Sequence, residues 1–480
     1  MNETLLALPE IVLLTMTCVV LIVDLYLPKD KRGYTYVLAQ LGLLLTLIAC
    51  FSQSSVEEAR LGFYGAYVLD PLSINLKAWI IGIVMAILLY SREYLKHRNM
   101  SRGEYYVLGM TGTLGMLIMV SANSLLSVYL GLELLSLSLY AMVAFNRDNS
   151  KASEAAMKYF VLGALASGML LYGMSMLYGA TGSLGLDTIS AAVSADSQGN
   201  LAARFGLVFI IVGIAFKLGA VPFHMWLPDI YDGAPTSVTL FIASAPKIAA
   251  FAMTIRLLND ALQSLHADWH LMLIILAVLS IVVGNLIAIA QSNIKRMLAY
   301  STISHVGFLL LGIISGTEQG YASAMFYTIT YAFTSLAAFG VLLVLNDVGF
   351  EAENIADLKG LFRRNPGLAL VMMVVLLSMA GVPPTVGFYA KLIVLKEIVS
   401  VGHLWLALIA VFMSVLGAFY YLRVIKFMFF DEPDDATELT PAIDTQLVLG
   451  MNGVIILVFG LFPGIIMSAC TAAFMAQAAA

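Results

Sequence analysis

Three lysines stand where lysine should be rare. Lys217, in FKLGAVPFHMWLPD, lies thirteen residues into an apolar run. Lys247 lies eleven residues from each end of another, and Lys391, in AGVPPTVGFYAK, follows a double proline inside a third. An ammonium at the centre of a bilayer costs about 2.5–3.5 kcal/mol on insertion scales. Snorkelling does not excuse Lys247, because its stem would have to reach across ~16 Å of helix. Glu133, in YLGLELLSL, is the acid nearest the middle of a span. Burial disfavours any charged side chain, whereas an opposite charge restores it. A lysine balanced between the two gains or loses a proton when its partner moves, which is the chemistry of a proton relay. Pairing of Glu133 with Lys217 is the expectation.

Each relay lysine is near a place where a helix must break. Pro222 follows Gly219 and Lys217; Pro383 and Pro384 precede Lys391. Proline removes a helical hydrogen bond and clashes with the preceding turn. In lipid such breaks are tolerated where backbone is buried in protein or lines a wet cavity, and paired broken helices point to a transport site. Pro246, beside Lys247, suggests a further kink. His224 follows Pro222 closely, as a relay group or as an interfacial histidine beside Trp226. His305, in YSTISHVGF, lies among Ser301, Thr302 and Ser304 and either relays protons or packs helices. Tyr300, Tyr327, Thr328 and Tyr331 offer weaker support. Lys158 is at i+4 from Glu154, which fits a surface ion pair as well as a relay. Lys77, six residues into its span, reads as a snorkelling lysine.

The elements that must position these groups are membrane helices. Of 480 residues, 61% are hydrophobic and 11% charged, against about 25% charged in soluble domains. Fourteen apolar runs are long enough to span a bilayer: 5–26, 34–52, 72–91, 104–121, 124–145, 155–178, 204–226, 236–258, 271–290, 296–315, 320–346, 368–395, 403–428 and 446–470. Alternating ten-residue strands are absent, so a barrel is not expected. Sixteen lysines and arginines fall in one set of loops, against Arg60, Arg204, Arg256 and Lys396 in the other. The sixteen are assigned to the cytoplasm, which puts both termini outside. The N-terminus lacks a basic n-region, so the first run is expected to be retained. The whole of 1–480 reads as one polytopic membrane domain. Two five-helix units of opposite topology, 104–258 and 271–428, would form an inverted repeat carrying the two breaks, with 346–366 as a cytoplasmic loop. Net charge is −5, which leaves no nucleic-acid footprint. Cys18, Cys50 and Cys470 are far apart, so no iron–sulfur, zinc or other cofactor site is expected within this chain. Redox chemistry, if coupled, belongs to another chain.

FKLGAVPFHMWLPDIYDGAPTSVTLFIASAPKIAAF, NIKRMLAYSTISHVGF and LSMAGVPPTVGFYAK together resemble the signatures of antiporter-like membrane subunits of respiratory complex I, over roughly residues 100–430. The end at the fourteenth span, Lys391, and Lys158 in EAAMKYF point to one particular subunit within that family. The resemblance implies proton translocation in a bacterial plasma (inner) membrane, driven by quinone reduction elsewhere in the complex. It implies that Glu133 modulates Lys217, that Lys247 is the central relay, and that Lys391 lies on the exit side. It also implies partner subunits, membrane and peripheral, that carry FMN, iron–sulfur clusters and quinone. A subunit of a multisubunit cation/proton antiporter is the alternative, and a passive membrane-arm scaffold is a third reading.

Overall fold

The computed structural model describes residues 3–28, 31–56, 58–195, 200–346, 351–433 and 441–478. After the short α1 (Glu3–Leu6), the chain runs through α2 (Leu8–Tyr26), α3 (Gly33–Phe51), a two-stranded antiparallel hairpin of β1 (Arg60–Gly62) and β2 (Tyr67–Leu69), and α4 (Pro71–His97). Next come α5 (Gly103–Val120), α6 (Leu125–Val143), α7 (Ser150–Thr181), α8 (Leu186–Ala195), α9 (Leu201–Leu218), α10 (Trp226–Gly233), α11 (Thr236–Ala243) and α12 (Ala245–Ile255). The remainder is α13 (His266–Ala290), α14 (Ile294–Ile314), α15 (Glu318–Leu345), α16 (Leu361–Arg364), α17 (Pro366–Ala380), α18 (Val386–Ser400), α19 (Leu404–Phe430), α20 (Ile443–Leu461) and α21 (Gly464–Ala478).

Twelve stretches among the described residues are long and apolar enough to cross a membrane. The two other expected spans are also helical. In α5, Glu104, two tyrosines and four glycines dilute the apolar character; the span expected at 368–395 is split into α17 and α18. The run 446–470 is not one helix: α20 stops at Leu461, Pro463 interrupts, and α21 restarts at Gly464.

Polar N-caps start many of the helices. Asp70 and Ser73 form a capping box on α4, and Ser124, Asn149, Asn200, Asn293, Thr317 and Asn365 accept from the first-turn amides of α6, α7, α9, α14, α15 and α17. These amides have no intrahelical partner, and a side-chain acceptor satisfies them. Residues 236–261 and α14 are almost wholly buried at the centre, whereas α2, α3, α19 and α20 keep most of their surface outward. At two crossings the backbones nearly touch. A Cβ on Gly115 of α5 would be 2.6 Å from Leu135 N, and one on Gly284 of α13 would be 2.7 Å from Ser304 N. Small residues permit such approach in membrane bundles.

The segment expected as a cytoplasmic loop, 346–366, includes 347–350, outside the described residues. Its remainder is anchored. Asn354 bridges to Asn293, and Glu351 accepts from Lys295 at 2.8 Å and Thr236 at 2.7 Å.

Candidate functional site

Both expected breaks are present, with matching local geometry. α9 is stopped by Gly219 with φ +84°, and α17 by Gly381 with φ +86°. In each, the glycine amide donates to the carbonyls three and four residues back, and the next amide donates five back: Gly219 to Ala215 and Phe216, then Ala220 to Ala215; Gly381 to Leu377 and Ser378, then Val382 to Leu377. This is a Schellman-type stop, and only glycine takes the left-handed position without steric cost. Pro222 and Pro384 follow three residues after their glycines, each across a cis peptide bond. A third break is at Ser244, between α11 and α12, with Pro246 in the first turn of α12. The kink expected from Pro246 is thus a change of helix.

A helix that stops leaves its last carbonyls unsatisfied. Lys247 donates to Leu218 O at 2.8 Å, at the end of α9. Lys391 donates to Met379 O and Ala380 O, both at 3.0 Å, at the end of α17, and to Ser414 Oγ at 2.8 Å. Two of the three lysines therefore cap the broken ends, where the helix dipole favours a cation. Lys217 donates to Ser136 Oγ at 3.0 Å. Ser136 is three residues beyond Glu133 on α6. No ion pair joins Glu133 to Lys217, and Glu133 Oε1 is buried without a hydrogen-bond partner. Lys247 thus reaches α9 one residue along the chain from Lys217, since Leu218, whose carbonyl holds it, follows Lys217. Trp226 lines the cavity at Lys217, and its ring centroid is 5.8 Å from the Lys247 ammonium.

His305 lies at the centre of a second polar cluster, only 7% exposed. Nδ1 shares a hydrogen bond with the Tyr327 hydroxyl at 2.6 Å and Nε2 one with Tyr421 at 3.2 Å. Tyr421 bonds Ser301, Tyr331 donates to Thr302, and Tyr420 reaches Asn285, which donates to Ser304. Phe308 lies beside both this cluster and Lys391: its ring stacks on Tyr327, and the Lys391 ammonium is 5.0 Å from its ring centroid. Cavities of about 10 Å³ lie at Lys217, with Ser136 and Ser167, and between His305 and the second break, with Ser378 and Gly387. Each is near the minimum for one water.

The remaining basic groups differ in kind. Lys77 does not snorkel: it is fully buried, 2.6 Å from Glu10 and bonded to Tyr67. Arg256, counted above as a loop residue, is buried in the last turns after α12 and paired with Asp70 and Asp260. Lys295 is buried against Glu351. Lys158 is exposed and paired with Glu154 and Asp229, so its surroundings are those of a surface ion pair. His224 is half-buried in the turn after Pro222, with Nδ1 unpartnered. Sequence reasoning missed Ser136, Ser414, Asn285, Tyr420 and Tyr421, whose types carry no signal until the fold places them. Among the described residues no group of three metal-ligating side chains occurs.

Comparison with known proteins agrees with this architecture. A family described as "NADH:quinone oxidoreductase/Mrp antiporter, TM" matches residues 122–417, and the chain belongs to that family of membrane subunits. Within it the chain is 56% identical to NADH-quinone oxidoreductase subunit N of Thioalkalivibrio sulfidiphilus, over 97% of each chain. It is 53% identical to the subunit N of Herminiimonas arsenicoxydans, again over 97% of both. A chain of respiratory complex I from Thermus thermophilus superposes with a TM-score of 0.83 at 32% identity, covering 97% of this chain and 100% of that one. A chain of the Mrp complex from Dietzia shares the fold, with a TM-score of 0.85 at 20% identity.

Proposed function

We propose that this chain, a proton-pumping membrane-arm subunit of complex I, moves protons through Glu133, Lys217, Lys247 and Lys391, with His305 between the last two. One observation carries the reading. Every other buried lysine or arginine described above is neutralised by a carboxylate, whereas Lys217, Lys247 and Lys391 rest on hydroxyls and carbonyls alone. A buried cation paired with an acid is held charged. A buried ammonium whose partners are neutral keeps its proton only by balance, and small movements tip it. Lys217 has two alternatives within one helical turn of α6: Ser136, which it contacts, and the unpartnered Glu133 oxygen. Moving to Glu133 holds its proton; returning to Ser136 beside a charged Lys247 favours release. The small cavities widen to admit water links, and the hydroxyls around His305 carry the proton towards Lys391.

In this reading 104–258 and 271–428 act as inverted half-channels, and their matching glycine stops support that symmetry. The chain is in the inner membrane with both termini periplasmic, and FMN, iron–sulfur clusters and quinone are held by the other membrane and peripheral subunits. Lys217 and Lys247, replaced separately by alanine in the assembled complex, test the relay through quinone reductase activity and proton uptake by membrane vesicles. Loss of uptake with intact assembly is expected; normal uptake in both variants would refute the assignment.

A further inference from the structure

A groove that shares no residue with the lysine path runs along one face of α4, closed on its other sides by α3, α15, α20 and α21. Pro71, Ala78, Gly82, Ala86 and Tyr90 of α4 form its floor, and its volume is about 640 Å³. From Pro71 to Tyr90 is nineteen residues, or ~28 Å of helix rise, close to the ~30 Å hydrocarbon thickness of a bilayer. Spread over that length the volume makes a narrow furrow, wide enough for a hydrocarbon chain to sink into, whereas a helix, ~10–12 Å across with its side chains, would rest on its rim.

Its polar end is unsatisfied. The Tyr90 hydroxyl and the Asn452 amide lie within reach of each other, yet neither makes a well-formed hydrogen bond, although the residues are only 2% and 4% exposed. Buried polar groups in proteins are almost always bonded, so an exception asks for a missing partner. Tyr90 is near the end of α4; in the next two turns Arg92 is paired with Glu93 and Asp444, and Lys96 is exposed. Interfacial tyrosines and basic residues mark headgroup depth. An ester carbonyl at that depth accepts from Tyr90 and from Asn452 Nδ2, while the attached phosphate lies at the depth of the exposed Lys96. A phospholipid ester supplies the acceptor that both donors lack.

We propose that the groove holds one acyl chain of a bound phospholipid, its ester carbonyl hydrogen-bonded to Tyr90 and Asn452. The test uses the whole complex in bilayer nanodiscs of phosphatidylethanolamine and phosphatidylglycerol, with a trace of phosphatidylethanolamine carrying a photoreactive diazirine in its acyl chain. After illumination, peptides covering 78–90 and 448–456 should carry the label. Gly82→Leu fills open space, since no atom lies within 4 Å of a Cβ there, and label on these peptides should be lost. Tyr90→Phe combined with Asn452→Leu should lower it in the same place. Label unchanged by Gly82→Leu would overturn the proposal. So would displacement by excess ubiquinone, which makes the chain isoprenoid, or cross-links from these peptides to a neighbouring subunit.

Discussion

Replacing Lys77 and Lys247 by methionine should separate stability from function in opposite directions. Lys77 is 2.6 Å from Glu10 and donates to Tyr67 at 2.7 Å, with neither charge reaching solvent appreciably. Lys77→Met leaves the Glu10 carboxylate buried and unpaired, a change that costs about 3–5 kcal/mol. Lys247, 3% exposed, makes one hydrogen bond, to Leu218 O at 2.8 Å. Losing a bond from a charged donor costs about 1.5–3 kcal/mol. Against this, the variant no longer desolvates an ammonium, itself worth several kcal/mol, and strands no opposite charge. The two terms nearly cancel, so Lys247→Met should be as stable as the parent, and the variants should differ by about 3 kcal/mol or more. Thermal inactivation of detergent-solubilised complex reads the stability; proton uptake per assembled complex reads the function. Lys77→Met should melt early yet pump normally while folded, whereas Lys247→Met should melt normally and pump poorly. Lys247→Met as unstable as Lys77→Met, with normal pumping, would refute the reasoning.

Gly381→Ala should cost about 1–2 kcal/mol from the left-handed backbone alone. It should also impair proton uptake, because the new Cβ would be 3.0 Å from Lys391 Cδ. Gly219→Ala should destabilise similarly through Leu227, 2.5 Å from its Cβ; a thermal melt and an uptake assay check both. His305→Gln, which can keep hydrogen bonds to Tyr327 and Tyr421, should assemble stably but lose proton uptake. Recovery of uptake in that variant would make His305 a packing residue. Burial raises the Glu351 carboxyl pKa, but Lys295, Thr236 and Arg98 outweigh it and hold it below its usual value. Its contribution to stability is therefore complete above the unfolded carboxyl's pKa and lost as pH falls through the depressed folded value. Acid melts should show that loss in the parent and not in Glu351→Gln, which should already be weaker at neutral pH because Lys295 is left buried and unpaired.

Much of this was legible because lipid imposes simple rules. Long apolar runs marked the twelve spans, and Gly219 with the prolines at 222, 383 and 384 announced the stops. Depth within a run marked Lys217 and Lys247 as costly. What could not be read was whether each cation meets an acid. Lys77 and Glu10 belong to different helices, and Arg256 finds Asp70 across 186 residues. Only packing makes these pairs, and they sort the fixed charges from the labile ones. The hydroxyl partners Ser136 and Ser414 were hidden for the same reason. The end of the last expected span was misplaced because Pro463 divides a run that remains apolar on both sides.

The central claim is that Lys247 must shed its proton. Lys247→Arg keeps the positive charge and a donor for Leu218 O, but guanidinium does not deprotonate in proteins. Proton uptake by inverted membrane vesicles on addition of NADH should fall sharply in this variant, with the complex assembled. Uptake equal to that of the parent would contradict the account, because a permanent cation would then serve as well.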